Sequence, residues 1–270
     1  MPFLPFYRRL RRFPLLFLAA FLLAPLLLAA RPPRPKPAPL HLQVRRIAPD
    51  VFVHTSYRRY PGKAAPVPSN GLIISTSKGA LLIDTAWDPE QTLELLRWVA
   101  DSLHQRVRLV VISHAHEDRL GGLAVLRANK INVYSTPLTA KRAAKLPFGT
   151  PMPAIKPYTV IRAGRTRLEL FSPGPGHSPD NLVAWLPKQQ ILFGGCLVKE
   201  AAAPNLGNID EADLKAWPTT LRTVAARYPK ARIVVPGHGQ WGSTALFTHT
   251  LGLLNALKTP KTQTALNDKP

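Results

Sequence analysis

One cysteine in 270 residues, Cys196, leaves the chain without an internal disulfide, so the fold must rest on a packed core rather than on cross-links. A lone cysteine is by default a small buried hydrophobe, and any chemistry it has must come from its neighbours. Acidic residues are also scarce, 15 against 36 lysines and arginines, for a net charge of +21. Such a balance draws a protein toward nucleic acid or an anionic surface. The cations are scattered, however (Arg45, Arg46, Arg58, Arg59, Lys141, Arg142, Lys145, Lys258, Lys261), with no dense run interleaved with aromatics. The expectation is therefore no nucleic-acid partner, and loose association with an anionic membrane surface. No Gly-rich Walker loop calls for a nucleotide. No Ser-x-x-Lys stands at a helix start, and Ser135 and Ser172 lack that context, which argues against a serine nucleophile.

What is present begins with an unusual N-terminus. Arg8, Arg9, Arg11 and Arg12 precede an apolar run from Phe13 to Ala30, and a Pro-rich basic stretch, RPPRPKPAP, follows. This is the layout of a signal peptide over residues 1–30 and a linker over 31–40. Pro14 and Pro25 interrupt a run already short for a bilayer span, which favours a cleaved signal over an uncleaved anchor. No cysteine lies near the cleavage region, so a lipoprotein anchor is excluded, and Arg8-Arg9-Leu10-Arg11 fits a twin-arginine signal poorly. Removing four arginines with the signal would leave +17. The reading is an exported, periplasmic, monomeric protein with one folded domain over 41–270 and a sizeable core, given 46% apolar residues.

Strands are expected at 41–47, 51–57, 71–76 and 80–85, with an exposed flap, YRRYPGKAAPVPSN, between the second and third. Asp88-Pro89-Glu90 reads as an N-cap with proline in the first turn, opening a helix to Leu103. A strand at 106–113, helices at 122–129 and 137–146, and strands at 154–161, 166–171, 181–187 and 190–194 follow. Helices at 211–228 and 243–257 bracket a last strand at 232–236. Short turns between some strands and helices between others give an α/β or α+β protein whose large sheets are covered by helices.

Side chains able to bind metal fall just after strand ends in four Gly- or Pro-flanked turns. SHAHEDRLGG holds His114, His116 and Asp118; PGPGHSPDN holds His177; FGGCLVKE holds Cys196; VVPGHGQ holds His238. A single histidine in such a place is usually a surface or satisfied core residue. Six nitrogen, sulfur and carboxylate donors, all at the ends of apolar strands, are a different matter. The set suits zinc, and it exceeds one tetrahedral structural site while matching two metals with positions left open for water.

These segments, in this order and spacing, resemble the class B metallo-β-lactamases, and the similarity runs over residues 41 to 257, including LIDTAW around Asp84 and LGNIDEADLKAWP. The resemblance implies a four-layer αββα sandwich with metals at one edge of the sheets. It implies two zinc ions, a three-histidine site of His114, His116 and His177, and a second site of Asp118, Cys196 and His238. That pattern is similar to the first subclass, which hydrolyses penicillins, cephalosporins and carbapenems. Thioesterases and lactonases of the same superfamily usually carry histidine where this chain has Arg119, and aspartate where it has Cys196.

By the same resemblance, Lys199 and Asn208 are substrate-binding residues, the first for the carboxylate of a bicyclic β-lactam and the second for the lactam carbonyl. Asp118 and Asn208 are the expected catalytic residues, acting with a hydroxide held between the zinc ions. Asp84, Gly121 and Gly122 are expected to support geometry, Arg119 to neutralise or hold the Asp118 loop, and Asp180 and Asn181 to order the turn after His177. Two rivals stand beside this reading: another hydrolase on the same fold acting on thioesters, lactones or phosphodiesters, and a basic binding protein with structural zinc.

Overall fold

An antiparallel four-strand meander opens each of the two sheets of the molecule, seen here in a computed structural model that describes residues 41–257. The expected signal peptide and the expected linker lie outside the described residues. One sheet runs, in spatial and sequence order, β1 (Gln43–Ala48), β2 (Val51–Arg58), β3 (Val67–Ile74), β4 (Ala80–Ile83), β5 (Val107–Val111) and β6 (Asn132–Tyr134). The other contains β7 (Tyr158–Ala163), β8 (Thr166–Phe171), β9 (Val183–Leu186), β10 (Ile191–Gly195) and β11 (Ile233–Pro236), ordered β11-β10-β9-β8-β7. Each sheet opens with four antiparallel strands and then turns parallel, at β4–β5–β6 and at β10–β11. Among the described residues the helices are α1 (Pro89–Leu103), α2 (Glu117–Leu120), α3 (Leu123–Ala128), α4 (Pro137–Ala143), α5 (Trp217–Arg227) and α6 (Ala245–Ala256).

The strand sequences show why the sheets stack. Leu72, Ile74, Leu81 and Ile83 face Leu168, Leu170, Ala184, Leu186 and Phe193 in a core between the sheets. Their neighbours Ile73, Leu82, Val110 and Ile112 point outward and pack under Leu95, Val99, Leu123 and Leu126 of α1 and α3. Val183, Leu192 and Val234 are likewise covered by Trp217, Leu221 and Val224 of α5 and Leu246 and Phe247 of α6. Both faces of the central strands are buried, so they read as near-continuous apolar runs rather than alternating ones. Each fully buried side chain of this kind contributes about 1.5–3 kcal/mol. The result is the αββα sandwich expected from the sequence. The parallel pairs need crossovers, supplied by α1, by α2 with α3, and by α5, and these leave the carboxyl ends of β4, β5, β10 and β11 at one edge.

Several boundaries differ from the sequence expectation for identifiable reasons. Helix α1 begins as read: Asp88 Oδ1 accepts the Gln91 N–H at 2.8 Å. The strand expected at 71–76 begins at Val67, because Ser56 and Thr55 pair with Ser69 and Asn70 and extend the β2–β3 hairpin. Its exposed tip is thus 59–66. The strand expected at 154–161 is shifted to Tyr158–Ala163, where β8 supplies a partner at every position. The helix expected from 211 starts only at Trp217, since Pro218 belongs in a first turn, where its missing N–H leaves no bond unmade. Helix α4 stops at Ala143, and the short α2, unforeseen, turns the chain immediately after His116. No helix among the described residues is long and apolar enough to cross a membrane.

Candidate metal centre

All six expected ligands converge at that edge. The β5–α2 loop delivers His114 and His116, the first turn of α2 Asp118, the β8–β9 turn His177, the end of β10 Cys196, and the end of β11 His238. Donor atoms of His114, His116 and Asp118 lie within 4.8 Å of one another, as do those of Asp118, Cys196 and His238, and those of His114, His177 and Cys196. The last set bridges the two triads into one cavity.

The hydrogen bonds behind the rings decide which nitrogens face inward. Ser113 Oγ donates to Asp84 Oδ2 at 2.8 Å, so its remaining contact, 3.0 Å from His114 Nδ1, must be accepted from the ring. His114 Nε2 is then a lone pair. His116 Nε2 lies 2.7 Å from Glu211 Oε2 and donates to it, which makes Nδ1 the acceptor of the neutral ring. His238 Nδ1 donates to the Pro68 carbonyl at 2.5 Å, leaving Nε2 bare. Fixing a ligand's tautomer from behind is what metal-binding histidines require.

The bare nitrogens of His114 and His116 meet, and His177 Nε2, whose ring has no hydrogen-bond partner on Nδ1 among the described residues, joins them. His114 Nε2 and His177 Nε2 stand 3.0 and 3.1 Å from the same His116 Nδ1, and the three rings pack edge to face with centroids 4.6–5.2 Å apart. Lone pairs so close repel unless a positive charge lies between them. A shared proton lies on one line at a time, whereas a metal ion serves three nitrogens together. Ligands on a tetrahedral zinc, with bonds near 2.0–2.1 Å, stand roughly 3.3 Å apart, close to the spacing here. Burial, reinforced by the neighbouring rings, holds His114 well below the usual imidazole range, and burial with the nearby Lys199 does the same for His177, so both stay neutral donors. The donor set fits zinc.

The second triad is built around a buried cation. Cys196 Sγ is 3.2 Å from His238 Nε2, and Asp118 Oδ2 is 3.4 Å from the same atom. Arg119, wholly buried, reaches Asp118 Oδ2 at 2.7 Å, Cys196 Sγ at 2.9 Å, Asp84 Oδ2 at 3.3 Å, and the carbonyls of Asn70 and Gly237 at 2.6 and 3.0 Å. It therefore does more than neutralise the loop: one guanidinium joins three of the segments that form the site. Burial alone would raise Asp118, but Arg119 and then His238 outweigh it and hold this carboxyl below its ordinary range. Burial pushes the Cys196 thiol up to about 11 against the pull of Arg119, and a bound metal ion is what would favour the thiolate. Burial also lowers His238 to about 4 against the opposing pull of Asp118. Asp84 is raised to about 6 by burial, with Arg119 and Ser113 opposing, and so is ionised at neutral pH.

The supporting residues take the places expected of them. Asp180 Oδ2 accepts the Ala115 N–H at 2.9 Å while its other oxygen holds Ser178 Oγ, and Asn181 Nδ2 donates to the carbonyls of Gly174 and Ser178. A Cβ on Gly121 would sit 1.9 Å from the Trp87 carbonyl, and one on Gly122 would sit 2.0 Å from Thr92 Oγ1. Gly237 is as constrained, for a Cβ there would meet Cys196 Sγ at 2.5 Å.

Lys199 is 8% exposed, with its ammonium 5.4 Å from the centroid of Trp217, whose ring lies 5.7 Å from that of His177. No carboxylate pairs with it among the described residues. Asn208 is exposed on the β10–α5 segment, and its Oδ1 accepts the Asp210 N–H at 2.9 Å, a local turn in which no contact joins it to the histidines.

Four contributors escaped the sequence reading. Ser69 Oγ donates to Asp118 Oδ2 at 3.2 Å. Asn70 ties β3 to the His238 turn through Pro236 and Gly239 carbonyls at 3.1 and 2.7 Å. Trp217 floors His177 and donates to the Leu197 carbonyl at 2.9 Å, and Glu211 orients His116. Ser69 and Asn70 had read as the end of the exposed flap, and Glu211 as the start of a helix.

The chain is similar to known proteins. A family model described as the metallo-beta-lactamase superfamily matches residues 64–238. A "Metallo-beta-lactamase type 2" of Bacillus sp. (strain 170) is 44% identical over 213 residues, 79% of this chain and 82% of the relative. Its counterpart in Bacteroides fragilis is 37% identical over 79% of this chain and 86% of its own length. Among solved structures, a metallo-beta-lactamase from Pontibacter korlensis superposes with a TM-score of 0.77 at 48% identity, covering 79% of this chain and 99% of the other.

Proposed function

The chain belongs to the metallo-β-lactamase superfamily and is a β-lactam hydrolase, and from that premise we propose that it uses two zinc ions to open penicillins, cephalosporins and carbapenems. The observation that carries the proposal is the convergence of three imidazoles at His116 Nδ1 beside an aspartate, a cysteine and a histidine at one edge of the sheets. His114, His116 and His177 would hold one ion, and Asp118, Cys196 and His238 the other. When bound, zinc supplies Lewis acidity, bringing the pKa of water toward neutrality and drawing electron density from a carbonyl.

The chain's own residues do the rest. Asp118, ionised and held by Ser69, Arg119 and His238, orients the attacking water and takes up its proton as the carbon–oxygen bond forms. As the carbon–nitrogen bond of the ring breaks, the proton held by Asp118 passes to the leaving nitrogen, which returns Asp118 to its ionised form. The buried Lys199, lacking a carboxylate of its own, binds the carboxylate of the substrate. Asn208, whose Oδ1 is already engaged, offers its Nδ2 donors to the lactam carbonyl. Tyr60, 39% exposed on the flap with its ring 6.0 Å from that of Trp87, gives the substrate an apolar cover.

Residues 1–30 are proposed to export the protein to the periplasm as a monomer, with residues 31–40 as a linker. The surplus of cations gives it loose affinity for anionic membrane. The experiment is turnover of a penicillin, a cephalosporin and a carbapenem by purified zinc-loaded protein: hydrolysis of all three supports the reading, and thioester or lactone turnover without any of them refutes it. In the same assay Lys199→Ala is expected to raise KM about tenfold with little change in kcat, because the contact exists in ground and transition states alike. An unchanged KM would remove Lys199 from substrate binding.

A further inference from the structure

One charged side chain near the centre belongs to neither triad yet touches the supports of both His116 and His177. Arg142 sits in the last turn of α4, a helix fixed by the Thr136 cap on the Thr139 N–H at 3.1 Å and by buried Thr139, Ala140 and Ala143. Its Nε lies 3.1 Å from Asp180 Oδ1, an ion-pair contact without hydrogen-bond alignment, and its Nη2 donates to Glu211 Oε2. Asp180 is fully buried and holds the Ala115 N–H between His114 and His116. Glu211 Oε2 is the oxygen that accepts from His116 Nε2.

Glu211 lies in residues 200–216, which form no helix or strand and which also carry Asn208. Apart from the Arg142–Glu211–His116 contacts, this segment is tied to the His177 turn by the Asp213 N–H, which donates to the Gly176 carbonyl at 2.8 Å. Glu211 is about half exposed. Left alone, an exposed carboxylate on irregular backbone would sample many rotamers, and His116 would lose a fixed partner. A planar guanidinium held by a helix can engage two carboxylates at once in set directions, which an ammonium cannot.

We propose that Arg142 is a positioning residue that couples the metal centre to the substrate-facing 200–216 segment, by clamping Glu211 onto His116 while anchoring itself on Asp180. This rests on the metal-centre reading above. Its consequence is that zinc binding at the three-histidine site and the placement of Asn208 are set together.

The test compares wild type, Arg142→Ala, Arg142→Lys, Glu211→Gln and the Arg142→Ala/Glu211→Gln pair. Zinc affinity is measured by competition with a chromophoric chelator, KM and kcat on a carbapenem, and the His116 Nε2–H proton resonance in the metal-free protein. Arg142→Ala is expected to weaken one zinc by about 10–100-fold, the usual cost of losing an outer partner of a ligand. It should raise KM and broaden the His116 resonance, and Arg142→Lys should not restore any of these. The double variant should be no worse than Glu211→Gln alone. The proposal is overturned if Arg142→Ala keeps zinc affinity and the His116 signal within twofold, if lysine restores them, or if the two single losses multiply. Should Arg142→Ala not fold, the lysine variant carries the same comparison. Should wild type bind no zinc, the metal reading fails, while the metal-free resonance still judges Arg142.

Discussion

Arg119→Ala is expected to cost about 3–5 kcal/mol of stability in the metal-free protein, the range for removing one partner of a buried ion pair. The side chain has no exposed surface, and neither has Asp84. Truncation would strand Asp84, largely desolvated Asp118 and two buried carbonyls without their shared donor. In a domain of this size that corresponds to a fall in Tm of roughly 6–20 °C. Lysine should rescue little, since one ammonium cannot reach acceptors on β3, on α2 and after β11 together. The check is thermal and urea denaturation of wild type, Arg119→Ala and Arg119→Lys without metal. A loss under about 1 kcal/mol, ordinary for a surface site, would mean that the guanidinium does not hold these segments together.

Cys196→Ser should preserve the fold and abolish most turnover. The swap is nearly isosteric and Arg119 keeps an oxygen to donate to, so stability changes little. The ligand chemistry changes greatly: a hydroxyl at neutral pH offers neither the negative charge nor the soft donor of a thiolate. Asp118 and His238 would remain as two ligands where three are needed. Losing even an outer partner of a ligand costs 10–100-fold, so losing the ligand itself should lower kcat/KM by at least about a hundredfold and bring bound zinc from two equivalents toward one. Elemental analysis beside steady-state kinetics reads both. A serine variant with two firmly held ions and full rate would refute the role of Cys196.

The candidate ligands were legible because strand and turn chemistry point the same way: His177, Cys196 and His238 follow apolar strands and sit beside glycine, and His114 comes directly after the apolar run of β5. What made the rest illegible is that it depends on pairs distant in sequence. Ser69 and Asn70 carry turn-like side chains, and only pairing with Ser56 and Thr55 draws them into β3 and beneath Asp118. Glu211 fits a helical pattern continuing into α5 until Pro218 is given its place in the first turn. Arg142 looked like one of many scattered surface cations, and its two carboxylates are 38 and 69 residues away. Arg119 is the instructive middle case: its position beside Asp118 suggested neutralisation, but its contacts with Asn70, Asp84, Cys196 and Gly237 exist only in the folded chain. Lys199 was singled out by the family resemblance, whereas its depth and its want of a carboxylate could be seen only once the chain was folded.

The most direct test is to strip the purified protein of metal, confirm by circular dichroism that it stays folded, and follow carbapenem hydrolysis as zinc is returned. The expected result is no turnover without metal and a rate that rises and then levels off at two equivalents of zinc per chain. Turnover by the metal-free protein, or none after two equivalents have bound, would contradict the account.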